Sequence, residues 1–201
     1  MKIERFLGGG SLLADGYVIY QHEGESCFII DPGYTPRKYV DFIQKKELRP
    51  VGIILTHLHG DHVGAADALQ DVFDCPIFMH EADAYVYTGH VDKMLKDGDI
   101  FDLGGEELRV ISTPGHTKGS ICIMSDKSRA CFTGDTIFDT DLGRTDLTGG
   151  SEADMKHSIC DIIDKWENDI TIYPGHENGC NMKMVRKYNK EFLTLRDGHE
   201  R

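Results

Sequence analysis

No stretch of this 201-residue chain stays apolar for the length that a bilayer crossing requires, and its first residues, Met1-Lys2-Ile3-Glu4-Arg5, lack an apolar signal core. The expectation is a cytoplasmic protein with no membrane association. The six cysteines, at 27, 75, 122, 131, 160 and 180, include no CxxC pair. Scattered in this way they fit buried small hydrophobes better than a disulfide framework. Basic residues are scarce, 22 Lys and Arg against 34 Asp and Glu, for a formal charge of −12. A polyphosphate backbone would be repelled, which disfavours a nuclease and any nucleic-acid partner. Low-complexity stretches, long linkers and solenoid repeats are also missing, so residues 1–201 read as one unit, with no signal for its oligomeric state.

What is present alternates strands and helices. Tyr17 to Gln21 and Ser26 to Asp31 read as strands joined by a short hairpin connection, Glu23-Gly24-Glu25. Thr35-Pro36 offers an N-cap and an N1 proline to a helix carrying Tyr39, Phe42, Ile43 and Lys46. Further strands are expected at Val51 to Thr56, Leu108 to Ser112, Ser120 to Met124, Ala130 to Thr133 and Ile170 to Tyr173. The clearest helix is Ser151 to Trp166, with Ser151 and Asp154 as a capping box and Met155, Ile159, Ile162, Ile163 and Trp166 on one face. This order predicts a layered α/β architecture with mixed sheets inside and helices outside.

Three of the ten histidines fall in Thr56-His57-Leu58-His59-Gly60-Asp61-His62, directly after an apolar strand. A loop at a strand's C-terminal end can turn several imidazoles and a carboxylate toward one point, and that donor set suits zinc and its first-row neighbours. Thr113-Pro114-Gly115-His116-Thr117, Phe132-Thr133-Gly134-Asp135-Thr136 and Tyr173-Pro174-Gly175-His176-Glu177 each follow an expected strand and place one donor right after a glycine. Four strand ends then converge on one centre. His22, His80, His90, His157 and His199 match no such motif and read as surface or capping residues.

The succession HxHxDH, PGHT, TGDT and PGHE resembles the metallo-β-lactamase superfamily, and most of all its glyoxalase II-like hydrolases, over nearly the whole chain. The resemblance implies an αββα sandwich of two mixed sheets with the site at one edge. It implies two divalent metals, zinc before iron or manganese: His57, His59 and His116 on the first, Asp61, His62 and His176 on the second, and Asp135 bridging. The expected reaction is hydrolysis of a small thioester or ester by a metal-bridging hydroxide. Two dications about 3.5–4 Å apart lower the pKa of water from about 15.7 toward about 7 and polarise a carbonyl. By the same resemblance Asp61 also orients the hydroxide.

Asp31, at the end of the strand Phe28-Ile29-Ile30, holds a position that in this family lies beneath the metals and bonds the ligand loop; a plain turn-forming Asp before Pro32 is the competing reading. The segment Leu142-Gly143-Arg144-Thr145-Asp146 resembles a family loop that runs toward the substrate. Arg144 can grip a substrate carboxylate there, or can pair with Asp146 to brace the loop. Tyr173 reads as core. The tail, Asn181 to Leu195, resembles the closing segment of the small family members and lacks the helical region through which full-length glyoxalase II contacts glutathione. Its Lys183, Arg186, Lys187 and Lys190 read as a solvated face.

The runner-up is a persulfide dioxygenase, a relative sharing the Gly143-Arg144-Thr145-Asp146 run and using one iron on two histidines and a carboxylate. Gly175-His176-Glu177 resembles the hydrolases instead. A flavodiiron oxygen reductase has a glutamate where this chain has His59, and a metal-storing protein would not need open coordination.

Overall fold

A computed structural model describes residues 1–8 and 14–199. Two six-stranded sheets form its centre. The first contains β1 (Lys2–Phe6), β2 (Gly16–Tyr20), β3 (Ser26–Ile30), β4 (Arg49–Leu55), β5 (Ile77–His80) and β6 (Lys93–Leu95), in that spatial order. The second contains β7 (Ile100–Asp102), β8 (Glu107–Ser112), β9 (Ile121–Ser125), β10 (Ala130–Gly134), β11 (Thr171–Pro174) and β12 (Cys180–Asn181), also in order. Both sheets are mixed: β3 to β6 pair in parallel in the first, and β10 with β11 in the second.

Strand periodicity creates three apolar layers from these runs. Tyr17, Ile19, Phe28, Ile30 and Ile54 face Ile121, Ile123 and Phe132 of the opposite sheet. The alternate residues Val18, Cys27, Ile29, Ile53 and Leu55 face α1 (Pro36–Lys45) and α3 (Ala66–Phe73), through Tyr39, Ile43 and Leu69. On the far side Cys122, Met124, Cys131 and Ile172 meet Met155, Ile159, Ile163, Val185 and Phe192. Strands buried on both faces read as nearly continuous apolar runs, and that is how β2, β3 and β9 look in the sequence. The result is the expected αββα sandwich. Four of the cysteines are buried in it, and all six are free.

The expected helix over Ser151 to Trp166 is helical in three different windings: α5 (Glu152–His157), a π-turn (Ser158–Ile162) and a 3₁₀ turn (Ile163–Lys165). The capping box is half formed. Ser151 accepts from the Asp154 N–H at 3.2 Å, but the Ser151 N–H donates to the Gly115 carbonyl at 2.8 Å and is not capped by Asp154. Thr35 makes no side-chain cap on α1, although Pro36 opens it. Arg186, on α6 (Met182–Tyr188), departs from the solvated face expected of it. It donates to the carbonyls of Asp164 at 2.7 Å and Trp166 at 2.6 Å, satisfying the end of the 3₁₀ turn as a cation at a helix C-terminus does. The last helix among the described residues is α7 (Lys190–His199).

Candidate metal centre

The C-terminal ends of four strands meet at one edge of the sandwich. β4 delivers His57 and His59, and the single turn α2 (Gly60–Val63) delivers Asp61 and His62. The segments after β8, β10 and β11 deliver His116, Asp135 and His176. The backbone locks these ends together: Ile121 N–H donates to the Thr56 carbonyl between sheets at 3.0 Å, and Gly175 N–H to the Gly134 carbonyl at 2.9 Å. Glycine is required at the donor motifs by proximity. A Cβ on Gly175 would lie 2.4 Å from both Asp135 Oδ1 and His62 Cε1, and one on Gly134, whose φ is +47°, would lie 2.3 Å from Thr56 Oγ1.

All seven expected donors converge. Asp135 Oδ2 is 3.5 Å from His116 Nε2, 3.5 Å from His176 Nε2 and 4.0 Å from His57 Nε2, while Oδ1 is 3.2 Å from His62 Nε2. Asp61 Oδ2 lies 3.2 Å from His176 Nε2 and 3.8 Å from His62 Nε2. A tetrahedral ion with bonds of about 2.1 Å holds its donor atoms about 3.4 Å apart, and these separations bracket that value. His59 Nδ1 and His116 Nε2 are closer, 2.8 Å, and share a hydrogen bond. Two sets of three donors emerge, His57 with His59 and His116, and Asp61 with His62 and His176. A third, Asp31 with His57 and His62, shares their buried side. The atoms His57 Nε2, His62 Nε2 and Asp135 Oδ1 are buried with no hydrogen bond beyond the 3.2 Å approach of the last two to each other. Buried polar atoms are almost always satisfied, so three orphans facing one point fit a cation.

The outer ring nitrogens are fixed from behind. His62 Nδ1 donates to Asp31 Oδ2 at 2.9 Å. His57 Nδ1 lies 3.1 Å from Thr56 Oγ1, which itself donates to Asp31 Oδ2 at 2.6 Å. Asp31 Oδ1 also accepts the Thr56 N–H at 2.8 Å, so this carboxylate bonds the ligand loop from beneath. His116 Nδ1 donates to the Arg144 carbonyl at 2.7 Å. Such outer hydrogen bonds set the tautomer and aim each Nε2 inward.

Sequence reasoning missed Asp83 in this frame as well as the contacts of Thr56 and the Arg144 carbonyl. Asp83, on α4 (Glu81–Ala84), is buried and accepts the N–H of Leu58 at 3.0 Å, the hydroxyl of Thr117 at 2.8 Å and the N–H of Gly119 at 2.6 Å. It ties the His57–His62 loop to the His116 loop. A lone Asp in Glu81-Ala82-Asp83 carries no motif, so only the fold could reveal it. His80, by contrast, caps α4 as expected, accepting from the Ala82 N–H at 3.2 Å. His90 and His157 pair with Asp92 and Asp161 at the surface, and His22 is exposed. The side chain of His199 lies outside the described residues.

Imidazoles and carboxylates in the centre shift one another's protonation. Burial and the neighbouring His62 hold His57 well below the ordinary imidazole range, leaving a neutral donor. For His62 the cost of burial is outweighed by Asp135 and Asp31, which hold it up to about 10. The hydrogen bonds that His176 donates to Asp135 and Asp61 hold it up to about 9. Burial opposes ionisation of Asp135, yet His62 and His176 keep it well below the usual carboxylate range. Without metal, protons on His62 and His176 supply the positive charge that these carboxylates require.

The centre opens into a cavity of about 1150 Å³. Arg144 lines it, with its guanidinium paired bidentately to Asp146 at 2.7 and 2.8 Å, the bracing arrangement. Tyr173 is half-buried and stacks on Phe132 in the core. No helix among the described residues is long and apolar enough to cross a membrane.

Several known proteins are similar to this chain. BaeB of Bacillus velezensis, a probable polyketide biosynthesis zinc-dependent hydrolase, is 36% identical, covering 91% of this chain and 83% of its own. A hydroxyacylglutathione hydrolase of Francisella tularensis is 30% identical, covering 88% and 68%. Among solved structures, the B3 metallo-beta-lactamase BLEG-1 matches with a TM-score of 0.86 at 26% identity, covering 95% of this chain and 99% of its own. TTHA1623 in a di-iron-bound form matches at 0.81 and 26%, covering 92% and 98%. ETHE1 from Myxococcus xanthus shares the fold at 0.84 and 21%, covering 100% and 92%. The family model of the metallo-beta-lactamase superfamily matches residues 12–176, and the chain belongs to that superfamily.

Proposed function

We propose that the chain is a hydrolase of small thioesters or esters that works with two divalent metal ions, zinc by preference. One observation carries this reading: seven donors face one another at separations a pair of tetrahedral ions would impose, three of their buried atoms having no other partner. His57, His59 and His116 would hold one ion and Asp61, His62 and His176 the other, with Asp135 between them. Such a pair brings a water ionised near neutrality and a polarised carbonyl. The chain's own groups do the rest. Asp61, which lines the cavity, orients the attacking water through its carboxylate. Asp31, Thr56 and the Arg144 carbonyl keep the imidazoles aimed. In the reaction the water oxygen bonds to the acyl carbon, the carbon–sulfur or carbon–oxygen pair leaves with the thiol or alcohol, and the water proton passes to the leaving group or solvent.

The names of BaeB and the hydroxyacylglutathione hydrolase support zinc and thioester chemistry. Elemental analysis of the purified chain, followed by a thioester panel on the same sample, tests it. Two zinc ions per chain with thioester turnover is the expected result. One iron per chain, with oxygen uptake on glutathione persulfide and no hydrolysis, overturns it in favour of a dioxygenase.

A further inference from the structure

Asp61 and His62 stand on a single helical turn. Within α2 and its flanks, His62 and Val63 donate to the His59 carbonyl at 3.0 and 3.2 Å and Gly64 to the Gly60 carbonyl at 3.0 Å, and no side chain caps the turn. So short a helix does not hold itself, because nucleation costs more than one turn of hydrogen bonds returns. His62 and Val63 bury its inner face. On the outer face Gly60 and Gly64 flank Asp61 and contribute no side chain.

The segment Asp31–Tyr34 wraps this turn. Asp31 and Gly33 are left-handed, with φ of +47° and +62°, and swing the chain from the end of β3 around α2. Asp31 holds His62 Nδ1 from beneath, and the Gly33 N–H donates to the His62 carbonyl at 3.0 Å. Tyr34 then lays its ring along the outer face. A Cβ on Gly64 would overlap the ring atoms Cδ1 and Cε1, and one on Gly60 would lie 2.8 Å from the hydroxyl oxygen. The ring thus reaches from one glycine to the other. Gly64 has φ −58° and ψ −24°, a helical conformation open to every L-residue, so its backbone does not demand glycine and the ring of Tyr34 does. Tyr34 also lines the cavity beside Gly60 and Asp61.

Resting on the hydrolase reading above, we propose that Tyr34 is a positioning residue: its ring, seated on Gly60 and Gly64, fixes α2 so that the Asp61 carboxylate keeps its aim at the second metal and the attacking water. Contact with substrate alone would not need two bare α-carbons beneath the ring. Without the ring the outer face of α2 has no packing partner of its own, and a small swing of the turn carries Asp61 off its line.

Four variants test this: Tyr34→Phe, Tyr34→Ala, Gly64→Ala, and Tyr34→Ala combined with Gly64→Ala. Stepwise zinc affinities are measured on the metal-free chain against a competing chelator, and kcat and KM on the zinc-loaded chain. Tyr34→Ala should weaken the Asp61–His62–His176 site by about 10-fold or more, leaving the other site near wild type. Its kcat should fall while KM stays within about twofold, the pattern of an interaction made only in the transition state. Tyr34→Phe keeps the ring edge and should restore both. Gly64→Ala displaces the ring and should reproduce the loss, yet add nothing to Tyr34→Ala, because the two changes break one contact. A raised KM with unchanged zinc affinities makes Tyr34 a substrate wall and overturns the inference. So does a lowered Tm with both affinities unchanged, or additive losses in the combined variant. Absence of thioester turnover by the fully loaded wild type refutes the hydrolase reading instead, and the affinities and the combined variant still decide whether Tyr34 positions Asp61.

Discussion

Asp83→Asn isolates the frame from the donors. The native carboxylate accepts three hydrogen bonds inside the protein, two on Oδ2 from Leu58 and Thr117 and one on Oδ1 from Gly119. The amide can keep its oxygen toward the first two, but its NH₂ then faces the Gly119 N–H, donor against donor. One charge-assisted bond is lost and one buried N–H orphaned, a cost of about 1.5–3 kcal/mol, or roughly 4–10 °C in Tm for a chain of this size. Leu58 sits between His57 and His59, and Gly119 follows His116, so the loosened loops are those of the first donor set. Second-sphere changes typically weaken a metal site about 10- to 100-fold. Zinc titration against a competing chelator, with thermal unfolding alongside, should show one site weakened by that factor and the Asp61–His62–His176 site nearly unchanged. Two sites with affinities within about twofold of wild type would refute the role given to Asp83.

Asp135→Ala should abolish turnover and remove one metal or both, because its two oxygens face both donor sets; elemental analysis beside an activity assay reads the outcome. Gly175→Ala should keep the fold by circular dichroism yet lose zinc, since the added methyl would occupy the space of Asp135 and His62. Metal affinity should rise steeply with pH. His62 and His176, held up to about 10 and about 9, must each shed a proton to bind, giving up to about 100-fold per pH unit in the site they share, flattening above those values. The metal-free chain should show the opposite trend in stability. Both histidines are raised above an unfolded value of about 6.5, so their contribution is full below that pH and fades as pH rises through about 9 and 10. Cys131→Ser should retain most activity, the thiol being buried in the outer layer away from the cavity; a large rate loss without unfolding would assign it a further role.

The sequence alone determined the inner strands and the four motifs, because both are written locally, while the αββα arrangement followed from the family resemblance that those motifs carry. β2, β3 and β9 are apolar on both faces, and each donor motif couples a strand end to a glycine. Edge strands escaped it. β1, with Lys2, Glu4 and Arg5 in five residues, and the three-residue β6 and β7 carry too little apolar pattern to stand out. The winding change at Ser158 is equally silent, since Met155, Ile159 and Ile163 keep their spacing whichever turn carries them. Only the tertiary structure decided the roles of Asp83, Thr56 and Arg144. A buried carboxylate, hydroxyl or carbonyl acts by what it reaches, and Asp83 reaches residues 25 to 36 positions away. The same holds for the pairing of Arg144 with Asp146 and for the acidic, apolar wall of the cavity, which is assembled from loops that are distant in the chain and adjacent only once both sheets have closed on one another.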